Sequence, residues 1–127
     1  MKKICDHEGF EIYFEAEEEI SSMRDHFINE CDWTEKQFKN LKDTNPAWFS
    51  ARVVAKKEGV ILGEDYLGCC CYKSEEEFYT KYFDDYFKDM IKACVSEAEK
   101  NLPERIKELE AQRDGLDKII TALKEQC

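Results

Sequence analysis

"WFSARVVAKKEGVILGEDYLGCCCY" occupies residues 48–72, and its reading decides the fold. Trp48 to Lys56 is rich in aromatic and β-branched residues, which suit a pleated, half-buried surface. "KKEG" at 56–59 reads as a turn, and a second strand, or a pair of short strands, follows from Val60 to Tyr72. Gly63 and Gly68 weaken a continuous strand, so "GED" at 63–65 reads as a bend or bulge. Upstream, "FEIYFEAEEE" at 10–19 opens with alternation. Phe10, Ile12 and Phe14 share one face, while Glu11, Tyr13 and Glu15 take the other, as in a half-buried strand. The expectation is an α+β fold with a small three-stranded antiparallel sheet, its first strand supplied by residues 9–16.

Helical spacing surrounds these strands. Ile20, Met23, Phe27 and Cys31 recur at intervals of three and four, predicting an amphipathic helix. Thr34 reads as the N-cap of a short helix using Phe38 and Leu41, with Gln37 completing a capping box. Asn45-Pro46 ends that helix in a loop. Ser74 caps a long helix in the same way, with Glu77 at its third position. A wide apolar stripe then runs from Phe78 to Ala98, with Asp84, Asp85 and Asp89 on another face. Pro103 predicts a new helix or a sharp bend after Asn101, dividing the chain into an α+β domain at 1–101 and a C-terminal helix at 102–127. In that helix Leu102, Ile106, Leu109, Arg113, Leu116, Ile120 and Leu123 alternate at spacings of four and three. This is a heptad seam with one charged interruption at Arg113, weakened further by Gly115. Three heptads are marginal alone, so the seam either docks on its own domain or pairs with a second copy of the chain.

The chain is long enough for one domain with a modest core, at 127 residues and 43% hydrophobic content. Its formal charge is −10, with 19 basic and 29 acidic residues. A basic groove for nucleic acid is therefore excluded, and a partner with a basic surface is favoured. Residues 1–50 hold 6 basic and 12 acidic groups and residues 75–100 hold 4 and 8, so two segments carry the negative field. No signal peptide is read at the start and no apolar run is long enough to span a bilayer. With an odd number of cysteines, seven, this predicts a reducing cytoplasm.

Those cysteines are Cys5, Cys31, Cys69, Cys70, Cys71, Cys94 and Cys127. On a strand, "CCC" points Cys69 and Cys71 to one face and Cys70 to the other. Cys5 and His7 could in principle meet Cys69 and Cys71 around a metal, but nothing in the spacing requires it. A redox thiolate at Cys71 would be opposed by Glu75 to Glu77. Buried strand filler is the favoured reading, and no metal or cofactor is expected. His7 and His26 sit in no hydrolase motif, there is no glycine-rich phosphate loop, and Asp84 and Asp85 diverge on a helix. No catalytic residue is assigned, and the chain is read as a non-enzyme.

The acidic segments are the candidate site. Glu15, Glu17, Glu18 and Glu19 form one cluster, and Glu76, Asp84, Asp85 and Asp89 form another, with Tyr79 beside them as contact area. Capping and solubility are the stronger reading for Glu75 to Glu77. A row of carboxylates imitates a phosphate backbone and would attract a basic channel on another protein. The stretch "ARVVAKKEGVILGEDYLGCCCYKSEEEF", with the later "YFDDYFKDMIKACVSEA", resembles small uncharacterised bacteriophage and prophage proteins over roughly residues 50–98. In size, charge and apparent origin the chain resembles anti-CRISPR inhibitors. The resemblance implies a phage-encoded inhibitor in the bacterial cytoplasm that binds a CRISPR-Cas effector complex and blocks a basic nucleic-acid site. The alternative is a structural or assembly protein that homodimerises through its heptad helix.

Overall fold

The computed structural model describes residues 1–126; Cys127, the last residue of the expected C-terminal helix, lies outside them. In chain order the elements are β1 (Lys2–His7), β2 (Phe10–Glu17), a π-helical turn (Asp25–Glu30), α1 (Glu35–Asp43), β3 (Ala47–Lys57), β4 (Val60–Tyr72), α2 (Glu75–Tyr79), a second π turn (Phe83–Phe87) and α3 (Lys88–Glu125). The strands form one antiparallel sheet in the order β1-β2-β3-β4. The sheet therefore has four strands, not the expected three. The added strand, β1, is an edge strand with Lys2, Lys3 and Asp6 exposed, so it lacks a clean apolar face. Edge strands commonly carry such charges, which deter pairing with another chain.

Both hairpins turn on the same dipeptide. Glu8-Gly9 and Glu58-Gly59 each have positive φ at both residues (49° and 86°, 50° and 75°), the geometry of a two-residue type I′ turn. Phe10, Ile12 and Phe14 of β2 and Phe49, Ala51, Val53 and Ala55 of β3 share the buried face, so the alternation in β2 is as the sequence predicts. α3 covers that face with Met90, Ile91, Cys94, Val95 and Ala98. A Cβ at Gly63 would collide with the Cys94 carbonyl, so this glycine sets how closely helix and sheet approach.

β4 is one 13-residue strand with two irregularities. The register skips Leu62 between the pairs Lys56–Ile61 and Ala55–Gly63, and skips again at Gly68-Cys69. Each freed backbone group finds a side chain: Asn101 donates to the Leu62 carbonyl at 2.7 Å, and the Cys69 N–H donates to Glu19.

Three helical expectations are corrected. Ile20 is 98% exposed and helix covers only residues 23–30 of the expected 20–31, mostly as the π turn beneath Trp48, with Met23, Phe27 and Ile28 half-buried. The helix expected after Ser74 breaks at Thr80 and passes through the second π turn. Phe78 and Phe87 are nine residues apart, which on an unbroken helix places them on opposite sides. Both are fully buried in one aromatic cluster, so the break and the wider turn restore a common face. Finally, α3 runs unbroken through Pro103, without the predicted restart after Asn101. The carbonyl four residues back, at Glu99, lies on the water-exposed side, where solvent replaces the missing hydrogen bond.

Candidate functional site

The two acidic clusters differ in how far the protein has already used their charge. β2 pairs with β3 so that Glu15 stands opposite Arg52, and β3 pairs with β4 so that Arg52 stands opposite Tyr66. Arg52 bonds Glu15 at 3.0 Å and Glu64 more closely, donates from Nε to the Tyr66 hydroxyl at 3.0 Å, and lies 4.0 Å from Glu17. Partial burial works against its charge, but the bonds to Glu64, Glu15 and Tyr66 outweigh that and hold the guanidinium above its usual range. Glu19 serves the Cys69 bulge, and that backbone bond holds its carboxyl below the usual range. Of the first cluster only Glu18 is left exposed with no such engagement. Sequence reasoning missed Arg52 because only strand register reveals that one cation faces three carboxylates.

The second cluster is freer. Glu76, Asp84, Asp85 and Asp89 are exposed and none is held in an ion pair among the described residues. The clusters meet at one cleft of about 340 Å³, lined by Glu15, Glu75, Glu76 and Tyr79, where Lys2 stands 5.5 Å over the Tyr79 ring. Tyr79 is half-buried against Phe14 at 4.9 Å, so its ring serves the core before any partner. Asp85 faces a different cleft, shared with Lys73 and Lys81, where the local field is mixed.

The triplet of cysteines is divided by the bulge. Cys70 is 3% exposed and fills the core, while Cys69 sits in the bulge with φ 55° and Cys71 is half-buried opposite Trp48. Burial pushes the Cys70 thiol up to about 11, and that of Cys94 up to about 12. The set Cys5, His7, Cys69 and Cys71 is split between the two outer strands, roughly 14 Å apart across three strand spacings. Among the described residues no three His, Cys, Asp or Glu side chains gather as metal ligands. A different constellation forms locally at the first π turn. His26 Nδ1 lies 3.0 Å from Glu30 and its Nε2 lies 3.8 Å from the Cys31 sulfur.

The heptad seam splits as well. Leu102 packs against the core, and Ile106 and Leu109 line a small apolar groove with Val60, Leu62 and the stem of Lys57. Every residue from 106 to 126 is exposed, including Leu116 at 59%, Ile120 at 48% and Leu123 at 62%. Ile119, 57% exposed, flanks the seam and was not part of the predicted set. No helix among the described residues is long and apolar enough to cross a membrane. No protein-family model matches the chain, and no curated protein or solved structure matches it.

Proposed function

We propose that the protein is a non-catalytic assembly module that pairs with a second copy through the C-terminal half of α3. The observation that carries this reading is a helix of 38 residues whose last 20 or so, about 30 Å of it, extend beyond the sheet with an apolar stripe uncovered. A helix of that length is marginal in water without a partner, and packing of its apolar face is the usual remedy. Residue types specify the partner. Assigning Leu102 to position d puts Ile106 and Ile120 at a and Leu109 and Leu116 at d. Isoleucine at a with leucine at d favours two parallel strands, and a single polar residue at a, here Arg113, selects register at a cost in stability.

Flanking charges agree with parallel pairing. Arg105 at g faces Glu110 at e of a parallel second copy, whereas antiparallel pairing centred on Arg113 brings Glu110 near Asp117. Five half-exposed Leu and Ile side chains per copy are worth on the order of 10 kcal/mol together when buried. Association costs of about 4–15 kcal/mol consume most of that. The expected dimer is therefore weak, with a dissociation constant of about 0.1–1 mM, and dissociates on dilution. Sedimentation across that range should show monomer–dimer exchange, and Leu116→Glu with Ile120→Glu should leave a folded monomer. A wild-type chain that stays monomeric at millimolar concentration would remove this reading.

A second reading, an inhibitor that docks its acidic surface on a basic nucleic-acid site of a CRISPR-Cas complex, is favoured by the unpaired state of Glu76, Asp84, Asp85 and Asp89. Reversal of Asp84, Asp85 and Asp89 to lysine should abolish binding to such a complex without unfolding the chain. Binding that survives the reversal at low salt rules out the electrostatic mechanism.

A further inference from the structure

The π turn at Asp25–Glu30 places side chains together that an α-helix would separate. Residues five apart diverge by about 140° on an α-helix. Here the Cys31 N–H bonds the His26 carbonyl at 3.1 Å, closing a wider turn, and the Cys31 sulfur comes within 3.8 Å of His26 Nε2. Glu30, four residues on from His26, reaches Nδ1 at 3.0 Å. Accepting the Nδ1 proton there leaves Nε2 free to take one from the thiol. The ring is held by Phe27 and Trp48, with centroids at 4.9 Å and 5.5 Å, and Trp48 is fixed by its own bond to the Ser21 carbonyl at 2.9 Å. His26 also lines a groove of about 360 Å³ with Cys69, Cys71 and Tyr86, which leaves open space against the imidazole.

We propose that Cys31 is a modification site, where His26 acts as general base for exchange with small cationic disulfides. His26 Nε2 takes the thiol proton as the Cys31 sulfur attacks one sulfur of the disulfide. The disulfide bond breaks, a mixed disulfide forms on Cys31, and the leaving thiolate takes the proton back from His26. Cys31 is oxidised and the departing thiol is reduced, so the step balances. Charge selects the reagent: Glu30 and Asp32, both exposed, flank Cys31 in the chain, and Glu30 is bonded to His26, so the local field repels anionic disulfides. Cys31 is also the only exposed cysteine among the described residues, whereas burial pushes up the thiols of Cys5, Cys69 and Cys71.

The test exposes the full chain to cystamine and follows each cysteine-containing peptide by mass spectrometry. Cys31 should be modified faster than Cys5 and Cys71, about tenfold more slowly in His26→Gln, and severalfold more slowly in Glu30→Gln, which keeps the ring. Oxidised glutathione, an anionic disulfide, should react more slowly than cystamine. Modification of Cys70 and Cys94 in a variant would reveal unfolding, and Glu30→Gln then decides the matter. An unchanged Cys31 rate in the folded variants overturns the role of His26, and equal rates with the two disulfides overturn the choice of reagent.

Discussion

Glu19 accepts the Cys69 N–H, and that bond, more than any other influence, holds its carboxyl below the ordinary value of 4.5. A carboxyl with a lowered folded pKa adds stability above its unfolded pKa, and the contribution fades as pH falls through the folded value. Glu19→Gln should therefore be less stable than wild type by a constant amount above about pH 5, with the gap closing below 4.5. Urea midpoints over a pH series test this; a gap that persists at pH 2 would contradict it. Gly63 makes a different residue-scale prediction. Its Cβ would meet the α3 backbone at Cys94 and Ala98, which cannot swing aside as a side chain can. Gly63→Ala should cost about 1–3 kcal/mol or more in urea unfolding. Neither role was legible in the sequence. Glu19 looks like a surface acid in a run of glutamates, and the bulge fifty residues later supplies the donor that most lowers its carboxyl, with the nearby Ser21 N–H a lesser one.

At the scale of elements, periodicity was a good guide wherever one face was buried. β2 alternates, β3 alternates until it buries Val53, Val54 and Ala55 in succession, and the Thr34 capping box forms with both of its bonds, at 2.8 and 3.2 Å. β1 escaped notice because an edge strand with charges on both sides carries no period, although Glu8-Gly9 repeats the dipeptide of the second hairpin. Glutamate is strained at positive φ, where asparagine is better tolerated. Glu58→Asn should therefore raise stability by about 0.5–1 kcal/mol in thermal or urea unfolding, and a loss would show that the turn is not type I′. Pro103 misled because its effect depends on whether the freed carbonyl is wet. With that carbonyl exposed, the helix continues, and Pro103→Ala should add helical stability of about 1–3 kcal/mol without changing helix length by circular dichroism.

For the molecule as a whole, the balance of covered and uncovered surface matters most. The first part of α3 completes the core, and the remainder presents Ile106, Leu109, Leu116, Ile119 and Ile120 to solvent. Replacing Arg113 with isoleucine removes the charged layer of the seam, and should tighten self-association at least tenfold by sedimentation; weaker association would place Arg113 in a favourable cross-chain contact. The sequence by itself determined the α+β class, the buried face of β2, the existence of β3 and β4, the first helix cap and the heptad spacing, because each is written in neighbours a few residues apart. Tertiary structure alone decided the fourth strand, the exact register of the irregularities signalled by Gly63 and Gly68, the joining of Phe78 and Phe87, and which carboxylates remain free. Those features depend on register and burial between distant segments: Arg52 neutralises Glu15 only because β2 and β3 align as they do, and residues 106–126 stay uncovered only because the sheet ends where it does.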